Sequence, residues 1–460
     1  MGPLPLDDTA AGWTGRLFGG TISLLIASAS QTGRVGIHKR YFYNLLAHYV
    51  SFYLPAGARV AEICPASTNF RRTLGDRAVA VSPPAAASAA PFDRIVLNGC
   101  LHIVPDIQEI LEQVRAMCTP ATRVVITYYS SLWKPIFALA RPLGLAQTGS
   151  DQNWLAPSDI RNLLTLSGFE LVAESQRVLL PVYVPLLSAL VNRWLAPLPG
   201  FRLLALANVA VARVKPVPAS SAPSVSVVVP ARNERGNIEP LLRRVPAMGP
   251  EDELIFVEGH SSDGTWEEIQ RVAALHPGPR VRIYQQTGKG KGDAVRLGFA
   301  QSRGDILMIL DADLSVAPEL LPKFYRAIVD GTGEFINGSR LVYPMEQRAM
   351  RFANIIGNKF FAAAFSFLLG QPLKDTLCGT KVLSRAHYEA IARDRAYFGE
   401  FDPFGDFDLI FGAARQGLRI VELPVRYRER VYGDTNIQRW SHGMILLRMT
   451  LFAAQRIKFI

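Results

Sequence analysis

The stretch that decides the fold is Asp305-Ile-Leu-Met-Ile-Leu-Asp-Ala-Asp-Leu314. Its five consecutive apolar residues are too few for a stable helix and too continuous for a strand with one wet face. They read as a buried strand of a parallel sheet. The strand ends in two carboxylates, Asp311 and Asp313, one residue apart. Taking two negative charges out of water is costly unless a positive group meets them. A hard divalent cation is the natural partner. Mg²⁺ or Mn²⁺ takes one or two protein carboxylates and fills its shell with substrate phosphates and water.

Upstream, the same pattern repeats. Short apolar runs begin at Val225 and cover Glu253 to Glu258 and Val281 to Tyr284, alternating with helical-period segments near Ile238 to Val245 and Trp266 to Leu275. Such alternation predicts an α/β domain with a mostly parallel sheet. Ligands in these sheets sit at the carboxyl ends of the strands. Pro230-Ala-Arg-Asn-Glu234 follows the first strand, and Arg232 and Glu234 are candidates to hydrogen-bond a base or ribose, against the plain reading of a solvated turn. Glu258-Gly-His-Ser-Ser-Asp-Gly-Thr265 follows the second. There Glu258 is a candidate acceptor for a base edge, while Asp263 or Thr265 can cap the next helix. Gly288 to Gly298 places Lys289 and Lys291 among glycines before a helix, an arrangement that lets backbone approach a phosphate with Lys291 as a point charge. The spacing is not that of a P-loop.

The chain has 460 residues, enough for two or three domains. It is 49% hydrophobic and 19% charged, which excludes wholesale disorder. A net charge of +11 favours polyanions such as phosphorylated substrates or anionic lipid. Lys215 to Ser224, rich in proline, serine and alanine, reads as a linker. Cys64, Cys100, Cys118 and Cys378 lie far apart without a C-x-x-C pair, so reduced thiols in a cytosolic setting are expected. The apolar stretch Leu17 to Ala29 is too short and lacks a clear cleavage site for a signal peptide. The run Val178 to Val191 contains Pro181 and Pro185 and falls short of the roughly 20 residues of a membrane span.

Taken in order, the motifs from Ser224 to about Asn436 resemble those of family-two inverting glycosyltransferases of the GT-A fold, and within them the polyprenyl-phosphate (dolichol-phosphate mannose synthase-like) hexosyltransferases. The matching pieces are VVVPARNE at 227–234, VEGHSSDGT at 257–265, GKGDAVRLG at 290–298 and DADLSVAPELL at 311–321. They continue with NGSR at 337–340, DTLCGTKVL from Asp375, GDFDL at 405–409 and LPVRYRERVYGDTN at 423–436. The resemblance implies that Asp311 and Asp313 hold the metal and the sugar diphosphate, with Pro230, Arg232, Glu234, Glu258, Asp263 and Lys291 lining the nucleotide site. It implies that Arg340 binds phosphate of the acceptor, assisted by Arg348 or Arg351. Asp375 would lie near a reacting sugar, and Arg430 would close on the diphosphate. Glu258 and Gly259 replace the family's usual acidic pair, Ser315 a glutamine and Asn436 a lysine, which leaves the donor base and sugar open.

The resemblance implies a GDP- or UDP-linked donor, a polyprenyl phosphate acceptor and single-displacement transfer. Nucleic acid is not an expected partner. A hydroxyl acceptor would need a carboxylate base, for which Asp375, Asp406 and Asp408 are available. A lipid acceptor predicts contact with the cytoplasmic face of a membrane. Basic, phenylalanine-rich Arg348 to Leu369 and the tail, residues 437–460, are candidate amphipathic helices for it, against two helices that simply pack on the core. Asn436-Ile-Gln-Arg-Trp440 is also similar to the Q-x-x-R-W motif of processive polysaccharide synthases, but no spanning helices accompany it.

Residues 1–213 resemble, faintly, a class I S-adenosylmethionine methyltransferase. Arg59-VAEICPAS67 stands at the first strand and cofactor loop, Phe92 to Leu111 at a later strand and helix, and Thr122 to Ser130 at the next strand. Cys64-Pro-Ala-Ser67 lacks the glycines of a cofactor loop. The interval from Glu62 to Asp93 looks too short for a further βαβ unit. The expected domain is therefore degenerate and does not bind S-adenosylmethionine, with Glu62 and His102 structural. The whole chain is expected to hold two Rossmann-like α/β domains, at 1–213 and 225–436, joined by a linker at 214–224. A bifunctional methyltransferase and glycosyltransferase is the alternative.

Overall fold

The computed structural model describes residues 34–63, 74, 78–81, 91–140, 153–218, 221–276, 280–343, 352–399, 405–428, 430, 432 and 439–460. Cys64, Arg348, Arg351, Asn436, the Leu17 to Ala29 stretch and most of the interval from Cys64 to Ala90 lie outside them. The chain divides into two compact units, Met1–Val214 and Lys215–Ile460.

The first unit is built on a six-stranded sheet. Its strands are β1 (Val60–Ile63), β2 (Ala78–Val81), β3 (Arg94–Asn98), β4 (Arg123–Tyr129), β5 (Phe169–Arg177) and β6 (Ala207–Val214), in the order β2-β1-β3-β4-β6-β5. The four strands from β2 to β4 run parallel, and β6 runs antiparallel to both neighbours. Every residue of β1, β3 and β4 is buried, as expected for parallel strands covered on both faces. The interval expected to be too short for a further βαβ unit contains β2, paired in parallel with β1. Fourteen residues separate Ile63 from Ala78, just within the dozen or so that a parallel crossover needs. Helix α1 (Arg34–Ser51) precedes the sheet, and α2 (Ile107–Ala116) follows β3. Asp106 caps α2 by accepting the Glu109 N–H at 3.0 Å. His102 is buried and stacked on Tyr129, 4.5 Å between centroids, with Nε2 accepting the Tyr129 N–H at 2.8 Å. Burial lowers its pKa to about 4, so it is a neutral structural histidine.

The second unit carries a seven-stranded mixed sheet ordered β13-β11-β12-β10-β7-β8-β9. These strands are β7 (Val225–Ala231), β8 (Glu253–Glu258), β9 (Val281–Gln285), β10 (Ile306–Ile309), β11 (Phe335–Ser339), β12 (Lys381–Ser384) and β13 (Ile420–Pro424). From β10 to β9 all pairings are parallel, and β12 is the one reversed strand among them, inserted between β10 and β11. Helices α3 (Arg235–Arg244), α4 (Thr265–Leu275), α5 (Lys291–Gln301) and α6 (Leu321–Val329) follow β7 to β10 in turn. Val227, Val229, Phe256, Met308 and Phe324 form the centre of one apolar core. The strand and helix boundaries lie within three residues of those expected upstream of Asp311.

Helices α7 (Phe352–Leu369) and α8 (Arg439–Ala453) pack against each other. In α8, Leu446, Met449 and Ala453 are buried, while Met444, Leu447 and Leu451 are exposed. Among the described side chains of the expected amphipathic tail, apolar residues stand on the exposed side as well as the buried one, with exposed Arg448 among them. Among the described residues, no helix is long and apolar enough to cross a membrane.

Candidate active site

The carboxyl ends of β7, β8 and β10 converge on one charged cluster. Asp311 and Asp313 leave the end of β10, where the apolar run has just been buried. Lys291, the first residue of α5, reaches across from the glycine loop and places Nζ 2.5 Å from Asp311 Oδ1. Burial works against the Asp311 charge, but Lys291, with Lys381 and Arg340 behind it, outweighs this and holds the carboxyl below its usual range. Burial likewise opposes the Lys291 charge, and Asp311 and Asp406 overcome it. The pair is a matched one in which each partner fixes the other's ionised state.

Asp313 is held from two sides. Oδ1 accepts the Ser315 N–H at 3.0 Å and the Ser315 hydroxyl at 2.6 Å, and Oδ2 meets Arg430 Nη2 at 2.8 Å. Arg430 Nη1 continues to Glu234 Oε1 at 3.2 Å, and Glu234 Oε2 accepts from Asn237 Nδ2 at 2.6 Å. One guanidinium from the C-terminal segment thus ties the turn after β7 to the turn after β10. Tyr432 secures that segment. Its ring lies over Gly236, where a Cβ would come within 2.5 Å of it, and its hydroxyl lies 3.4 Å from Asp263 Oδ2.

The rest of the expected nucleotide side is arranged around these groups. Glu258 is buried at the end of β8, with Oε1 accepting the Ser261 N–H at 2.5 Å and Oε2 accepting from Gln285 at 3.2 Å. Asp263 joins two helix starts by accepting the Arg235 N–H at 3.2 Å and the Thr265 N–H at 3.0 Å. Pro230 is half-buried within β7, and Arg232 is exposed in the turn beyond it.

Arg340 and Asp375 form a second buried pair. Nε and Nη2 of Arg340 donate to Asp375 at 2.7 and 2.8 Å, and the Arg340 backbone N–H adds a third bond at 2.9 Å. Tyr427 lies 5.2 Å from the guanidinium carbon. Two of Arg340's donor nitrogens are thereby spent on Asp375. The other two carboxylates offered as candidate bases are also paired: Asp406 with Lys381 Nζ at 2.8 Å, and Asp408 with Arg395 Nε at 2.8 Å.

Two participants were not singled out from sequence. Lys381 is fully buried beneath the site, donating to the Cys378 carbonyl at 2.5 Å as well as pairing with Asp406. Gly379 faces Asp311, and a Cβ there would fall 1.9 Å from Asp311 Oδ2 and 2.5 Å from Lys291 Nζ. Both belong to the DTLCGTK stretch, where a lysine two residues after a glycine and leading into Val382-Leu383 was the available signal.

Glu234 has the most informative charge state. Burial raises it to about 7; Asn237 and Arg430 pull it down, while Asp313 and Asp311 push it up. The unfolded chain therefore releases this proton near 4.5 and the folded chain only near 7. More protons on the folded state mean that stability falls as pH rises through this window, by about 3 kcal/mol at most. In metal-free protein, Glu234→Gln should gain thermal stability relative to wild type between pH 5 and 8. A difference in melting temperature that stays constant with pH would contradict this.

The residues 226–392 match glycosyl transferase family 2. The polyprenol monophosphomannose synthase of Mycolicibacterium smegmatis is 31% identical over 211 residues, covering 45% of this chain and 78% of that protein. The chain belongs to glycosyl transferase family 2. The dolichol-phosphate mannosyltransferase of Pyrococcus furiosus is 29% identical over 221 residues, covering 46% of this chain and 59% of its own length. The family 2 chain thus spans about three-fifths of that relative. Among solved structures, glucosyl-3-phosphoglycerate synthase from Mycobacterium tuberculosis, in complex with Mn²⁺, UDP and glucosyl-3-phosphoglycerate, aligns with 51% of this chain and 80% of its own. Its TM-score is 0.37 at 18% identity. The family match, residues 226–392, lies within the second unit, whose seven-stranded sheet holds the charged cluster.

Proposed function

We propose that the second unit transfers a hexose from a GDP- or UDP-linked donor to a polyprenyl phosphate, with inversion at the sugar C1. The names of the relatives support the lipid-phosphate class. The observation that carries the choice of acceptor is the state of the carboxylates. A hydroxyl acceptor needs a base, yet Asp375, Asp406 and Asp408 are each tied to a cation. Glu234, whose pKa burial raises to about 7, is bonded to Asn237 and Arg430 on the proposed nucleotide side, where it serves the donor. A phosphate monoester is already ionised near neutral pH and needs no base.

The donor set fits a hard divalent cation: two carboxylates one residue apart, already balanced by Lys291 and Arg430. Asp311 and Asp313 would hold Mg²⁺ or Mn²⁺, which supplies Lewis-acid neutralisation of the nucleoside diphosphate. A phosphate oxygen of the acceptor forms the new bond to C1 as the bond from C1 to the diphosphate breaks. Lys291 and Arg430 give the departing diphosphate fixed positive charge in a partly buried setting. Glu234, Glu258 and Pro230 would line the nucleotide, with Arg232 and Asp263 at its edge. Arg340, oriented by Asp375, would meet the acceptor phosphate, with Arg348 and Arg351 as further partners. Phe360, Met444 and Leu451 are exposed on α7 and α8 and supply apolar surface for a membrane-held acceptor.

For the first unit we propose a methyltransferase-like, non-catalytic domain without S-adenosylmethionine. The parallel run from β2 to β4 and the structural role of His102 support it. Titration calorimetry detecting S-adenosylmethionine binding would overturn this.

The test of transfer is a panel of GDP- and UDP-sugars, with Mn²⁺ or Mg²⁺ and polyprenyl phosphate in detergent. The expected result is metal-dependent formation of lipid-linked sugar, reduced about a thousandfold in Asp313→Ala. Transfer unaffected by that substitution would reject the site.

A further inference from the structure

The first unit contains a helix turned inside out. Leu187–Leu190 runs on through a π turn, Val191–Leu195. Its buried positions are small or polar: Ser188, Asn192 and Ala196, spaced four apart. Its exposed positions are large and apolar, among them Leu187, Leu190, Trp194 and Leu195. A helix whose only solvent is water shows the opposite arrangement.

The segment is firmly built. Asn192 Oδ1 accepts the N–H groups of Leu179 and Leu180 at 2.8 and 2.9 Å, and its amide donates to the Leu180 carbonyl at 2.7 Å and to Tyr41 Oη at 3.0 Å. Ser188 Oγ donates to the Val182 carbonyl and accepts the Val184 N–H, both at 2.7 Å. Polar groups spend their bonds inward, so the apolar ones are held outward. Leu186 is 89% exposed and has a positive φ of 62°. For a leucine that conformation is uncommon and persists only where its surroundings impose it. The display continues through Leu203 and Leu204, 63% and 59% exposed. The Leu204 carbonyl accepts from Trp133 Nε1 at 2.8 Å, which brings in the segment of exposed Leu132.

Charge selects the occupant. From Val178 to Asn208 there is no aspartate or glutamate, while Arg193 and Arg202 stand among the apolar residues, and the chain as a whole carries +11. Large aliphatics with tryptophan, tyrosine and arginine, and no acid, match the boundary between acyl chains and anionic headgroups. A water-facing protein partner would not demand the exclusion of every acid over this length.

We propose that this outward face, Leu186 to Leu204, docks the first unit on an anionic lipid surface. It lies in the interface and does not span it. The inference goes beyond the transfer reaction and rests on different residues from it.

The experiment uses the full chain and flotation with phosphatidylglycerol–phosphatidylcholine vesicles, compared with phosphatidylcholine alone. The triple variant Leu190→Glu/Trp194→Glu/Leu203→Glu alters only exposed positions, and its melting temperature reports that it is folded. The expected result is binding of the wild type that is stronger on the anionic vesicles, weakened about a hundredfold in the variant. Transfer to a short, water-soluble polyprenyl phosphate should be unchanged in the variant. Loss of that activity in both proteins would reject the transfer reading while leaving docking standing. Equal vesicle binding by variant and wild type, or none by either, would overturn the docking face. Vesicle-free self-association that the variant abolishes would assign the face to a second copy and also overturn it.

Discussion

Gly379→Ala is expected to lower kcat/KM for sugar transfer by about a hundredfold or more while leaving the protein folded. The added Cβ would sit 1.9 Å from Asp311 Oδ2 and 2.5 Å from Lys291 Nζ. The clash falls on the ends of two side chains that are paired at 2.5 Å, so relieving it displaces that pair. The carboxylate, the lysine or the strand-end backbone must move by roughly 1 Å, and displacements of that size in a positioned site cost about two orders of magnitude. The stability cost of one methyl group forced into a packed site is about 1 to 3 kcal/mol. Gly357→Ala is the control, because a Cβ there meets nothing within 4 Å. It should leave both activity and melting temperature unchanged or slightly improved. Steady-state kinetics and thermal unfolding of the two variants decide the matter. Equal activities would mean that Asp311 and Lys291 do not act at the reacting centre.

The second large effect is on stability. Asp375 is buried and accepts three hydrogen bonds from Arg340. Burial opposes its charge, and Arg340 overcomes this and holds it below the ordinary carboxylate range. Asp375→Ala leaves a guanidinium uncompensated in a buried site, at a cost of about 3 to 5 kcal/mol. For a unit of this size that is a fall of roughly 10 °C in melting temperature. The double variant Arg340→Met/Asp375→Leu removes both charges and should recover much of the loss, since well-packed apolar pairs often replace buried ion pairs without penalty. It should not recover transfer, because the proposed phosphate-binding cation is gone. A double variant as unstable as the single one would show that the pair's hydrogen bonds to backbone, rather than its charges, hold this region.

Much of the second unit was legible from local pattern. Continuous apolar runs give way to charge at Arg232, Glu258 and Asp311 because those strands are buried on both faces and charge returns at their ends. The places of Lys291 and the two aspartates followed from that. What could not be read is which distant groups neutralise them. Arg430 bridges Glu234 and Asp313 across nearly two hundred residues, and Arg340 closes on Asp375 across 35. Such pairings are set by tertiary packing and leave no periodic trace. The reversed strand β12 likewise appears only in the sheet, where it brings Lys381 beneath Asp406.

In the first unit the apolar run from Val178 was read by length and prolines as too short to span a membrane. That reading addressed how many apolar residues there are. The direction they face depends on Asn192 and Ser188, whose bonds to Leu179, Leu180 and Val182 are turns of backbone that composition does not reveal.

The most direct measurement is the fate of the labelled sugar when the preferred donor is offered polyprenyl phosphate and the matching polyprenol side by side. The account predicts a lipid-linked sugar phosphate from the former, no product from the latter, and loss of that product in Asp313→Ala. Transfer to the alcohol, or release of free sugar without lipid product, would contradict it.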